Sequence, residues 1–407
     1  MSNHITAPQD CTGCGLCANV CSKNAIQMVW SKDGFLIPKV NNDACVNCGL
    51  CVKQCIALEE KGAYSDDLTS VVAYGGWNKN EDTHLKSSSG GIFSALATKV
   101  ITQGGIVFGV IWKDKLTAVF DKAETMEELA RMRGSKYTPA IPNDVYRNVK
   151  QELKSNRPVL FSGTPCQVHA LKKHLGKDYD NLLTIDIVCH GVPSHLLLEK
   201  YISEVEKNVA KKVAYISFRD KPEGWKNYHV AIHYDDKSTS SVSQQNNIYM
   251  KLFLSDKALN YACYNCPYAH IPRQGDITLG DFWGVENHHS DWPVDKGISA
   301  VMANTVKGKN SLQEISSSAF LKEEPFQNIY SGRSVYIRPH TQIPDDRALV
   351  LKKLQKWPLK RIVDKIINTE KIRGFRFKRH GFIHRGWLKL KKIKQKTLTL
   401  IFHKRSQ

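Results

Sequence analysis

The sequence predicts a small α+β module, an α/β domain with a mostly parallel or mixed sheet, and a basic C-terminal tail, helical or irregular. Three observations predict this. A four-cysteine loop, C-x2-C-x2-C-x3-C, is written twice within the first 55 residues of the 407. From residue 71, strand-like apolar runs alternate with amphipathic stretches, the pattern of a sheet covered by helices. The net charge of +19 is concentrated, because residues 351–407 hold 13 Lys and 6 Arg against Asp364 and Glu370. The remaining chain is close to neutral, so basicity belongs to an appendage and not to the body.

The loop Cys11-Thr-Gly-Cys14-Gly-Leu-Cys17-Ala-Asn-Val-Cys21 recurs as Cys45-Val-Asn-Cys48-Gly-Leu-Cys51-Val-Lys-Gln-Cys55. Three thiolates on one short loop cap three corners of a [4Fe–4S] cubane, and the fourth comes from the last cysteine of the other repeat. One cluster is thus assigned to Cys11, Cys14, Cys17 and Cys55, and the other to Cys45, Cys48, Cys51 and Cys21. Gly15 and Gly49 stand where a missing side chain lets the backbone close on inorganic sulfide. Zinc sites usually pair two C-x2-C knuckles and do not run four cysteines in a row. The double loop resembles the bacterial-type 2[4Fe–4S] ferredoxin family. It departs at the usual proline after the fourth cysteine, here Ser22 and Ile56. Residues 1–62 are read as this ferredoxin domain, with a short strand over 35–40, and residues 63–70 as a linker.

The α/β domain is expected over 71–345. Strands are predicted over 71–74, 105–112, 158–161 and 182–188, and helices over 92–102, 126–133, 144–154 and from Pro165 to His174. The residues at 213–218 and 229–234 read as an antiparallel pair, 247–254 as a helix, and 277–284 as a strand entering a loop. Four cysteines remain. Cys166 and Cys189 follow predicted strands, where α/β sheets place their ligands, and Cys263-Tyr-Asn-Cys266 forms one more C-x2-C. Four such thiols suit a third [4Fe–4S] cluster or a zinc ion. Two structural cysteines beside an unrelated knuckle also fit.

No cysteine is needed for a disulfide, no apolar run reaches the length of a membrane span, and the N-terminus lacks a basic-then-apolar segment. A cytoplasmic protein is expected. The G-x-G-x-x-G fingerprint is absent, so nothing points to a nicotinamide-binding fold. A nucleophilic thiol at Cys166 is disfavoured, since no base accompanies it.

Six short motifs then occur in order: Ser88-Ser-Gly-Gly91, Gly134-Ser-Lys-Tyr137, Gly163-Thr-Pro-Cys-Gln167, Cys189-His-Gly191, Cys263-x2-Cys266 and Gly280-Asp-Phe-Trp-Gly284. Together they resemble the coenzyme F420 hydrogenase/dehydrogenase beta-subunit family over about residues 70–340. The resemblance implies FAD, and a third cluster on Cys166, Cys189, Cys263 and Cys266. It also implies electron passage between clusters and a two-electron carrier or substrate. Ser88, Ser89, Gly90 and Gly91 would receive the flavin pyrophosphate at a helix N-terminus; a plain helix cap uses the same residues without a ligand. Lys136 would stand by the flavin's pyrimidine edge or phosphates, or is an exposed loop lysine. Thr164 and Gln167 would hydrogen-bond the isoalloxazine, or cap the following helix. Asp281 and Trp283 would line the pocket. His190 is a candidate proton donor, or a hydrogen-bond donor to the cluster.

The expected function is that of an iron–sulfur flavoprotein oxidoreductase. It would pass electrons between the ferredoxin-type clusters and an unidentified small-molecule substrate, with a redox partner protein or small electron carrier on the other side. The alternatives are a subunit that reduces or oxidises coenzyme F420 within a larger complex, and a non-catalytic electron-transfer subunit. In the tail, Trp357, Phe375, Phe377, Phe382 and Trp387 are interleaved with Lys and Arg. Residues 351–407 are expected to meet an anionic membrane surface, at about 1 kcal/mol per basic residue, or an acidic partner protein. Nucleic acid is the disfavoured reading. A cytoplasmic protein with such a tail would sit at the inner face of the membrane.

Overall fold

The computed structural model describes residues 5–59, 66–329 and 342–368. The N-terminal module comprises α1 (Leu16–Val20), β1 (Ile26–Trp30), β2 (Leu36–Val40) and α2 (Leu50–Lys53). β1 and β2 pair antiparallel, Ile26 opposite Val40, so the strand expected over 35–40 finds its partner on the first repeat. Gly15 and Gly49 precede α1 and α2 with φ of 76° and 71°. Only glycine adopts this left-handed backbone without strain.

The first part of the α/β domain comprises β3 (Val72–Asn78), α3 (Glu81–Leu85), α4 (Ile92–Thr102), β4 (Ile106–Lys113), β5 (Thr117–Ala123), α5 (Met126–Met132), α6 (Val145–Lys154), β6 (Val159–Gly163), α7 (Pro165–Leu175) and β7 (Leu182–Ile187). There follow α8 (His195–Val209), β8 (Val213–Asp220), β9 (His229–Tyr234), β10 (Thr239–Ser243) and α9 (Ile248–Phe253). The chain continues with β11 (Ile277–Asp281), β12 (Ser299–Ala303), α10 (Val306–Gln313), β13 (Ala319–Glu323), α11 (Phe326–Ile329), α12 (Arg347–Leu354) and α13 (Leu359–Ile362).

Eight strands form one mixed sheet in the order β13-β3-β12-β11-β7-β6-β4-β5. Its middle, β11-β7-β6-β4, is parallel, and the strands on both flanks are antiparallel. Alternation along each strand sorts the two faces. Val107, Leu160, Leu183 and Ile185 meet α4 and α5 on one side. Phe108, Val159 and Phe161 meet α6 and α7 on the other, together with Leu16 and Ile56 of the module. The pair foreseen at 213–218 and 229–234 is β8 with β9. It gains β10 as a third strand in a separate sheet.

The sequence reading left α8, β5, β10, β12 and β13 unassigned. α8 buries only Leu197, Leu198 and Tyr201 among charged residues, too narrow a stripe to stand out. β12 reads Ser-Ala-Val-Met-Ala, an apolar run whose length and composition do not separate strand from helix.

Two boundaries move. The linker expected over 63–70 is pinned at its end: Asp67 N–H donates to Ile271 O at 3.0 Å and Ile271 N–H to Asp66 Oδ1 at 2.9 Å. Residues 63–65 lie outside the described residues. The domain does not stop at 345, because Val350, Leu351, Leu354, Leu359, Ile362, Val363 and Ile366 are buried in the core under β8 and β9. Trp357 packs against that core, with Lys353 and Arg361 over its ring at 4.3 and 4.2 Å. It is therefore not a free aromatic of the tail. Phe375, Phe377, Phe382 and Trp387 lie outside the described residues.

Candidate redox site

The module is seated on the α/β domain by its first loop. Arg147 of α6 donates to Asn19 O at 2.6 Å, Ala18 O at 2.9 Å and Cys21 O at 2.6 Å. Tyr146 Oη donates to Cys14 O at 2.8 Å. The Asn19 carboxamide oxygen accepts from Tyr146 N–H at 3.1 Å, near the start of α6. Asn260 donates to Cys11 O at 3.0 Å. Glu59 closes the far side through His169 at 2.8 Å and through Lys173.

Within the module Cys11, Cys14 and Cys17 lie near Cys55, and Cys51 lies near Cys21 and Cys45. Burial pushes the Cys11 thiol up to about 12, with Cys14 and Cys55 adding to the rise. Cys14 and Cys17 are raised in the same way, each with Cys55 as a contributor. Cys51 is raised by burial and then by Cys21 and Cys45. These thiols destabilise one another as anions, so they deprotonate together only around positive metal.

The other four cysteines come together from three places. β6 and β7 run parallel and end at the same sheet edge, which puts Cys166 at the start of α7 and Cys189 just past β7. The turn at Tyr261–Cys263 brings in Cys263 and Cys266. Burial pushes Cys166 well up, and Cys266, Cys189 and Cys14 push it further. Cys189 rises to about 11 through burial and then Cys266. Cys263 is also raised by burial, with Cys189 and Cys266 contributing. Thr164 Oγ1 lies 3.2 Å from Cys166 Sγ, and Val192 N–H donates to Cys263 Sγ at 3.4 Å. Among the described residues no group of three or more His, Cys, Asp or Glu closes on a single ion.

Cys14 is among the neighbours of Cys166. Tyr146 and Tyr268 are each perturbed by thiols of both sets. The first loop therefore adjoins the dispersed set, and its Thr12 and Gly13 line the cavity beside that set.

A cavity of about 430 Å³ opens beside Cys166 and Cys189. Ser88, Ser89, Gly91, Lys136, Thr164, Gln167, His190, Asp281 and Trp283 all line it. Several have other partners too. Ser88 Oγ accepts from Ser135 N–H at 2.8 Å, and Ser89 Oγ donates to Ile298 O at 2.8 Å. Gly90 does not line the cavity: its N–H donates to Ser299 Oγ at 3.0 Å, and a Cβ there would stand 2.2 Å from Gly76 O. It is a packing glycine. Lys136 is not an exposed loop lysine. It donates to the carbonyls of Arg131, Met132, Arg133 and Gly134 at 3.1–3.2 Å, closing the C-terminus of α5. Burial pushes it down, to about 7. Thr164 and Gln167 cap α7 reciprocally: Gln167 Oε1 accepts from Thr164 N–H and Oγ1, both at 2.9 Å. His190 Nε2 stands 2.7 Å from Asp256 Oδ1.

The sequence reading missed Arg219, at the end of β8. It is buried, lines the cavity, and donates through Nη1 to Asp281 Oδ2 at 2.8 Å and Tyr137 Oη at 3.1 Å. Its guanidinium lies over the rings of Tyr228 at 4.2 Å and Trp283 at 5.5 Å. Burial is the largest single influence and opposes its charge, but Asp281, Tyr137 and Tyr228 together outweigh it and raise its pKa. Among the described residues its Nε and Nη2 have no hydrogen-bond partner, nor does the buried Thr138 Oγ1 on the same cavity. Such groups cost about 1–3 kcal/mol each unless a ligand accepts from them. An arginine alone among aromatics near the end of a strand was the signal available.

Fold and site together define an iron–sulfur redox protein, with a two-cluster module fused to an α/β domain that gathers its own thiols at a cavity wall. The chain belongs to the coenzyme F420 hydrogenase/dehydrogenase beta-subunit family. The family's N-terminal region matches residues 73–145 and its C-terminal region residues 156–329. A 4Fe–4S dicluster domain matches residues 10–57. A chain of the F420-reducing [NiFe] hydrogenase complex from Methanosarcina barkeri, solved as a xenon derivative, is similar at 16% identity. The match covers 72% of this chain and 91% of that one, with a TM-score of 0.42. No curated protein matches the chain. No helix among the described residues is long and apolar enough to cross a membrane.

Proposed function

We propose that this chain is an iron–sulfur flavoprotein oxidoreductase that joins one-electron carriers to a two-electron substrate. Two [4Fe–4S] clusters would be held by the N-terminal module, a third by Cys166, Cys189, Cys263 and Cys266, and FAD by the adjoining cavity. The clusters supply one-electron transfer, and the flavin supplies the exchange between one-electron and hydride-equivalent chemistry. The observation that carries the reading is the convergence of four thiols from β6, β7 and the 263–266 turn, against Cys14 on one side and the cavity on the other.

The chain's own residues act by holding and orienting. Arg147, Tyr146 and Glu59 fix the module, so the distance between the Cys14 and Cys166 sets does not drift. Thr164 and Gln167 fix the start of α7, and with it Cys166. Asp281 orients Arg219, whose unmatched Nε and Nη2 fit an anionic edge of a cofactor or substrate. Asp256 orients His190 on the cavity wall, where a proton can be delivered.

Anaerobic purification followed by acid extraction tests the reading, which expects flavin near one per chain. Protein without extractable flavin would leave an electron-transfer subunit only. The family description favours coenzyme F420 as the two-electron carrier. Mixing the dithionite-reduced protein with coenzyme F420 should reduce it, and no exchange would remove that carrier.

A further inference from the structure

The two cysteine loops of the module have the same spacing and opposite surroundings. In the first, Leu16 is 1% exposed, Asn19 is buried, and a Cβ on Gly15 would stand 2.2 Å from Pro142. In the second, Leu50 is 39% exposed, Lys53 is exposed, and a Cβ on Gly49 would meet nothing within 4 Å. Val46 and Val52, at 60% and 47%, are exposed on the loop that carries the exposed Cys48, and Leu58 is exposed three residues past Cys55, so the second loop bears an apolar collar. Exposed apolar residues gathered this closely mark an interaction surface.

We infer that this collar is the docking face for a small protein electron carrier, which seats an apolar lip over Gly49 and Leu50 as Pro142 seats over Gly15. The inference rests on the proposed entry of electrons through the N-terminal module, and it deepens that reading by naming the surface. The occupant is argued from the duplication itself. The first loop shows what this backbone accepts: a small ring over the glycine, apolar packing on the leucine, and donors to the loop carbonyls. The second loop offers the same receptor outward and, unlike Thr12 and Gly13 of the first loop, takes no part in lining the cavity. A protein carrier fits this better than a charged small molecule, because the local charges are few and mixed, with Lys23 and Lys53 against Asp43.

The test uses the full chain and a reduced bacterial 2[4Fe–4S] ferredoxin as probe, with reduced methyl viologen as the reductant that needs no docking. Reduction of the N-terminal clusters is followed by stopped-flow absorbance. Leu50→Asp with Val52→Asp should slow reduction by the ferredoxin about tenfold or more, the scale of losing an interface anchor, and leave the viologen rate unchanged. The milder pair Val46→Ser with Leu50→Gln covers the case in which the first pair loads its clusters poorly. An unchanged ferredoxin rate in either loaded pair would overturn the inference. So would a faster ferredoxin reaction in a chain ending at residue 368, which would make the basic tail the occupant. A wild-type dimer that the aspartate pair converts to monomer would make a second copy the occupant. The readout is cluster reduction, so failure of the flavin or third-cluster reading leaves this result interpretable.

Discussion

The chain holds its cysteines in two ways. Eight are grouped within two loops, at Cys11–Cys21 and Cys45–Cys55, inside the stretch that matches a 4Fe–4S dicluster domain. Four are dispersed over a hundred residues and meet only because β6 and β7 are parallel neighbours and the 263–266 turn reaches their common edge. A local site survives changes elsewhere in the fold, whereas an assembled site has the whole sheet as its scaffold. Substitutions confined to one kind of site should separate the two.

Arg273 and Asp186 are buried together beneath the assembled site, with Arg273 Nη2 donating to Ile187 O at 3.3 Å, two residues before Cys189. Arg273→Leu leaves Asp186 as an uncompensated buried charge and should cost about 3–5 kcal/mol. Denaturant unfolding of the variant checks this. The Cys166 set should lose its iron first, with the loop sets retained. Leu16→Ala should cost about 2–5 kcal/mol, the usual loss for a buried leucine. Leu50→Ala, at the matching place on the second loop, should stay within about 0.5 kcal/mol. Equal effects would mean that the loops are not in opposite surroundings. Arg219→Gln, at the cavity, should weaken flavin retention by about tenfold, the scale of a charge-assisted hydrogen bond. Iron content should stay unchanged.

Acid supplies the mildest separation. His174 lies on α7, which also carries Cys166. Burial and the nearby Lys150 and Arg147 push it down to about 4. Its folded-state pKa is below that of the unfolded chain, near 6.5. The unfolded chain therefore takes up the proton first, and stability is lost as pH falls from about 6.5 toward 4. Hydrogen exchange should show α7 loosening over that window while α2 does not change. His174→Gln should flatten the dependence.

The same contrast explains what could be read from the sequence. The loop sets were legible because their chemistry is written in consecutive residues. The assembled set was legible only as four leftover thiols, and the family motifs united them. Helix α4 was foreseen with its bounds, since Gly91 stops the preceding loop and apolar residues follow at helical spacing. The burial of Lys136 was not legible because its four acceptors are backbone carbonyls at and just past the end of α5, an arrangement that a tetrapeptide motif does not encode. Arg219 was missed because what marks it is a pair of unmatched donors, and donors are matched or unmatched only once β8 lies against Tyr137 and Asp281. The extent of the domain past residue 345 was hidden by the lysines and arginines that separate the buried positions of α12 and α13.

The account depends most on the assembled site being a third cluster. Iron and sulfide should be determined on anaerobically purified wild type and on Cys166→Ala with Cys189→Ala. Three four-iron clusters predict about 12 iron atoms per chain in the wild type and about 8 in the variant. About 8 in both proteins would contradict it.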